Sequence, residues 1–79
     1  MGLGMSQEDE LVWMVSVAHR THQDPRLSHR EQEVTKKLVQ GKDLVEIAVE
    51  LGLHIVTVRR FIVKADLRCG GAGPRHRPD

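Results

Sequence analysis

The chain has 79 residues, a net charge of +1, one tryptophan, one phenylalanine and no tyrosine. That length holds one domain, burying only about 60% of the surface its unfolded chain exposes, and a core left to Leu, Val and Ile suits short packed helices better than an aromatic-rich sandwich or barrel. The single cysteine, Cys69, excludes an internal disulfide and fits a reducing cytoplasm, while no apolar run nears the roughly 20 residues that span a bilayer and no signal-peptide pattern is present.

The small net charge hides an asymmetry. Residues 1–25 hold one basic and four acidic side chains, a net of −3, whereas residues 26–79 hold eleven basic and seven acidic, a net of +4. The positive field therefore belongs to the C-terminal two thirds.

Met1 to Met5 has two glycines and no periodicity, and reads as a loose end. Ser6 opens the first expected helix, 6–21. Glu8, Asp9 and Glu10 suit the positive end of its macrodipole, and Leu11, Met14, Val15 and Ala18 recur at helical spacing. Asp24-Pro25 ends it, placing a linker at 22–27. The spacing Ser28 to Glu31 is a capping box, predicting a helix over about 29–40 with Val34 and Leu38 on its apolar face, Lys36 and Lys37 on its basic one, and Gly41 at its end. Asp43 and Glu46 repeat the box before Leu44, Ile47, Ala48 and Leu51, a helix of barely two turns stopped by Gly52. A fourth helix starts near His54 or Ile55, with Val58, Phe61, Ile62 and Ala65 as its core face and Arg59, Arg60, Lys64 and Arg68 pointing outward or to its flanks. From Gly70 the tail GGAGPRHRPD offers no apolar surface to offset the entropy of ordering, so 70–79 is expected to be disordered. The expected fold is all-α: an N-terminal helix on a tri-helical helix-turn-helix domain at 27–69.

Two short helices joined by three or four residues with a glycine in the turn form the arrangement that lays its second helix in the DNA major groove. Residues 44–63 supply it, with Ala48 small at the crossing and Ile47, Leu51, Leu53, Val58 and Phe61 closing the core. A helical hairpin with no DNA role is the alternative, and the basic outward face of the second helix weighs against it.

The run from Leu27 to Leu67 resembles the DNA-binding domain of LuxR-type regulators. Leu27, Arg30-Glu31, Glu33-Val34, Leu38, Gly41, Glu46-Ile47-Ala48, Leu51-Gly52-Leu53 and Thr57-Val58 carry that resemblance, over about half the chain. The same run is similar to the fourth region of bacterial sigma factors, to which Lys64-Ala65 also corresponds. Either resemblance implies that the helix from about 55 to 68 reads the major groove, its arginines being suited to bidentate contact with guanine. The candidate DNA-contacting residues on and beside that helix are His54, Val56, Thr57, Arg59, Arg60, Val63 and Lys64, and the charge of Lys36, Lys37 and Lys42 suits them to phosphates.

The pattern also departs from the LuxR type. Those domains usually carry Ser at the position of His54, polar residues at Ile55 and Val56, His at Phe61, a basic or polar group at Val63, and a further C-terminal helix used for dimerisation. Ile55 and Val56 suit thymine methyls or a protein partner equally. The N-terminal helix, apolar on more than one face, is expected to replace the missing helix. Leu11, Trp13, Met14 and Val17 form its candidate homodimer or partner interface, with a cap on an enlarged monomer core as the alternative for Trp13 and Val17.

Other chemistry finds little support. His19 and His22 make at most half a metal site, and Gly70, Gly71 and Gly73 lack the strand and helix of a phosphate loop. No acid or base is placed in sequence to use a Cys69 thiolate. The carboxylate pairs Glu31 with Glu33 and Glu46 with Glu50 fall on solvated faces. The expectation is a non-enzymatic, cofactor-free, metal-free cytoplasmic regulator of bacterial or phage character that binds double-stranded DNA, as a homodimer. The rival is a sigma-like module that binds RNA polymerase, a sigma factor or another regulator.

Overall fold

The computed structural model describes residues 7–71. The loose end at 1–5, the Ser6 cap and the tail from 72 onward lie outside the described residues. Four α-helices follow in chain order, α1 Gln7–Thr21, α2 His29–Val39, α3 Leu44–Leu51 and α4 Ile55–Arg68, with no strand among the described residues. The protein is thus a small all-α domain, as its apolar spacing leads one to expect. No described helix is long and apolar enough to cross a membrane.

Local chemistry sets the helix ends. At α2, Ser28 Oγ accepts from the Glu31 amide at 3.2 Å while Glu31 Oε1 accepts from the Ser28 amide at 3.0 Å. At α3, Asp43 Oδ1 accepts from the Glu46 amide at 2.9 Å and Glu46 Oε1 from the Asp43 amide at 3.0 Å. His54 caps α4 differently, its Nδ1 accepting from the Val56 amide at 3.1 Å. The turn between α3 and α4 is three residues long and hinges on Gly52, whose φ of +67° is left-handed. The Leu53 amide then reaches back to the Ala48 carbonyl at 2.9 Å, closing the helix end that such a residue permits.

α4 ends by the same device. Gly70 has φ +86°, its amide donates to the Leu67 carbonyl at 3.2 Å, and the Gly71 amide donates to the Asp66 carbonyl at 2.8 Å. Gly70 and Gly71 therefore belong to the helix cap, and the structured domain extends two residues past the expected start of the tail. The reason is local: a glycine pair satisfies the last carbonyls of a helix without needing apolar surface.

Met14, Val17 and Ala18 of α1, Leu27, Val34 and Leu38 of α2 and its approach, Ile47 and Ala48 of α3, and Val58, Ile62 and Ala65 of α4 form one core. Each large side chain fully buried there contributes about 1.5–3 kcal/mol. α1 packs on α2 and α4, and α3 packs on α2 and α4 but not on α1. Met14 and Val17, expected at an interface with a second copy, are completely buried in the chain's own core, and Trp13 packs partly buried against it. Three short helices present too little apolar surface to enclose a core, so α1 supplies the missing wall. Of the four interface candidates only Leu11 remains exposed; Val12 beside it is 68% exposed.

Two ion pairs tie the end of α4 to the other helices. Arg68 Nε meets the buried Glu31 carboxylate at 2.9 Å, and Arg20 Nη2 meets the buried Asp66 carboxylate at 3.0 Å. Each buried carboxylate thus has a cation from another helix.

Candidate nucleic-acid interface

α4 presents a mixed face to solvent. Val56, Arg60 and Lys64 are exposed, Leu67 continues the face one turn further on, and Thr57 and Val63 are half-buried along it. This follows from the helix period: with Val58, Ile62 and Ala65 turned into the core, residues 56, 60, 63, 64 and 67 must face away. His54 is exposed but committed as the cap of α4.

Ile55 and Val56 separate. Ile55 lines a groove of about 240 Å³ together with Glu10, Leu11 and Met14 of α1 and Asp43, Leu44 and Val45 at the start of α3. Val56 stays on the outward face at 48% exposure. The groove lies where α1 and α3 flank the start of α4 without packing on each other.

The cations are also not equivalent. Lys37 Nζ lies 2.7 Å from Glu50 Oε1 and Lys42 Nζ lies 2.8 Å from Glu50 Oε2, so one carboxylate near the end of α3 bridges the end of α2 and the loop that follows it. Hydrogen bonds from Lys37 and then Lys42 hold the Glu50 carboxyl below its usual range, and the bond to Glu50 raises the Lys42 ammonium above its own. Arg59 pairs with Glu10 across α1 and α4. Arg20, Arg26, Arg30 and Arg68 are likewise engaged by Asp66, Asp24, Glu33 and Glu31. Among the described residues Lys36, Arg60 and Lys64 are the lysines and arginines with no ion pair, and two of those three lie one turn apart on the outward face of α4.

The structure therefore brings His54, Val56, Thr57, Arg60, Val63 and Lys64 together on α4, sets Arg59 at its edge against α1, and ties Lys37 and Lys42 to Glu50. Lys36 is exposed on α2 without an ion pair. Glu10 and Glu50 are the site residues that the pattern did not single out for these roles. Glu10 carried a legible signal, since it precedes Met14, Val17 and Thr21 by four, seven and eleven positions and so extends the buried stripe of α1. Glu50 carried none, because its lysines come from a different helix and a loop.

Cys69 is also accounted for. Its Sγ lies 3.2 Å from Asp24 Oδ2, and burial, then the hydrogen bond to Asp24, push the thiol up and away from the reactive thiolate. No three His, Cys, Asp or Glu side chains converge among the described residues in a way that could hold a metal ion. Compared with protein-family models, curated proteins and solved structures, the chain has no match in any of the three.

Proposed function

We propose that the protein is a cytoplasmic, sequence-selective DNA-binding regulator of transcription that lays α4 in the major groove. The observation that carries this reading is the unpaired Arg60 and Lys64 on the outward face of a helix joined to its predecessor by a three-residue turn. Arg60 is suited to the O6 and N7 edge of guanine, Val56 and Val63 to thymine methyls, and Lys36 and Lys64 to phosphates. The resemblance of Leu27 to Leu67 to LuxR-type domains supports the same reading. Selection of bound duplexes from a random pool, followed by sequencing, tests it: a recurrent motif is expected, and a retained pool as random as the input contradicts it.

A second reading is favoured by the apolar groups left in solvent, Val45, Val49, Val56 and Leu67, and by the engagement of most cations within the chain. In it α3 and α4 bind RNA polymerase, a sigma factor or another regulator, with little affinity for DNA. A homodimer belongs to the first reading, since two copies would read a two-fold symmetric site, and Leu11 with Val12 is the exposed apolar surface that α1 offers to it. Labelled duplex and purified polymerase, offered separately, discriminate the two.

A further inference from the structure

Arg59 and Glu10 are 49 positions apart and meet through one pair of atoms, Nη2 and Oε2. The contact is monodentate. A guanidinium has five N–H donors in a planar fork, and the Arg59 side chain is 48% exposed, so donors beyond that one contact are open to solvent. Glu10 itself is held by the helix that fills the core, because α1 buries Met14 and Val17 on the stripe that Glu10 extends. A carboxylate on the helix that walls the core thus contacts one corner of an arginine at the edge of the outward face of α4.

We propose that Glu10 is a specificity-determining residue for DNA, acting by orienting Arg59 toward a base; this rests on the reading that α4 binds duplex DNA. Two physical effects combine. Fixing one corner of a long side chain removes rotamer freedom before binding, so the free edge of the fork meets guanine O6 and N7 at a smaller entropic cost. The negative charge of Glu10 also offsets that of Arg59, which weakens its attraction to any phosphate while leaving its hydrogen-bond donors in place. Orientation strengthens the selected site, and charge compensation weakens all others.

The test uses the full chain, the duplex selected by the wild-type protein and a scrambled duplex of equal length and composition. Glu10→Gln is expected to weaken binding to the selected duplex and strengthen binding to the scrambled one, narrowing their ratio by about five-fold, the scale of one exposed ion pair. The change should be absent when Glu10→Gln is made in an Arg59→Ala background. Glu33→Gln, which removes the partner of Arg30 within α2, controls for the loss of one charge. Equal tightening on both duplexes would mean that Glu10 merely competes with DNA for Arg59 and would overturn the inference. Equal weakening on both, with a lowered melting temperature, would mean a structural role and would overturn it too. If Arg60→Ala weakens the selected duplex while Glu10→Gln leaves the ratio unchanged, the inference fails and DNA reading by α4 stands; if no duplex is selected, both fail.

Discussion

Arg68, in the last turn of α4, places its Nε 2.9 Å from Oε1 of Glu31, in the first turn of α2 and buried to 1% exposure. The same carboxylate closes the cap on Ser28, so one side chain both starts α2 and anchors the end of α4. Replacing it by Ala keeps the Ser28 Oγ bond to the backbone amide of residue 31 but leaves the Ser28 amide without its carboxylate acceptor, removes the ion pair to Arg68 and opens a void. The expected cost of Glu31→Ala is about 2 kcal/mol or more, a fall in melting temperature of roughly 10 °C for a domain of this size. Thermal unfolding followed by circular dichroism measures it, and a fall of only a degree or two would show that this pair does not hold α4.

At Gly52 the strain is purely conformational. A Cβ added there meets no atom within 4 Å, so the φ of +67° is what opposes a side chain at this position. Gly52→Val should cost about 1–3 kcal/mol and Gly52→Asn clearly less, since Asn tolerates the left-handed region. Equal melting temperatures for the two variants would contradict this assignment of the turn.

Much of the fold is legible because it depends on neighbours in the chain. The boxes Ser28 to Glu31 and Asp43 to Glu46, the glycine at 52 and the break at Asp24-Pro25 are all short-range signals, and each stands where the spacing places it. What periodicity cannot say is which element covers an apolar face, which is why Met14 and Val17 suit a second copy as well as the chain's own core. The same blindness applies to charge: Arg59 with Glu10 and Lys37 with Glu50 are separated by 49 and 13 positions, and their pairing depends on how helices dock. Gly70 and Gly71 illustrate the converse, since composition marks them as tail while backbone hydrogen bonding makes them a cap.

The loop before α2 gives the protein an acid-sensitive element. Hydrogen bonds from the Arg26 guanidinium, then from the Arg26 amide and the Cys69 thiol, hold the Asp24 carboxyl well below its ordinary 3.8. A group whose pKa is lowered on folding stabilises above its unfolded value, and that contribution is lost as pH falls through the folded value. Wild-type protein should therefore melt higher than Asp24→Asn at pH 7, with the gap closing progressively below about pH 4. A gap that is constant with pH would show that Asp24 acts through shape and not through charge.

Because α1 fills the core, removing residues 1–22 should abolish cooperative unfolding and not release a folded three-helix unit. The loss includes Met14 and Val17, each worth about 1.5–3 kcal/mol of burial, against a total stability of about 4–12 kcal/mol for a chain this size. Circular dichroism on heating decides it. A truncated chain with a sharp melt would mean that α2 to α4 enclose a sufficient core alone.

The central claim is that the outward face of α4 meets duplex DNA, and titration of a ¹⁵N-labelled full-length chain with a duplex retained in selection tests it most directly. The largest amide shifts are expected at Val56, Arg60, Val63 and Lys64, with smaller ones at Lys36. Arg60→Ala is expected to weaken binding by roughly 1–3 kcal/mol and relax preference at one base pair. Shifts confined to residues outside α4, or none at all under conditions where RNA polymerase shifts Val45, Val49 and Val56, would contradict it.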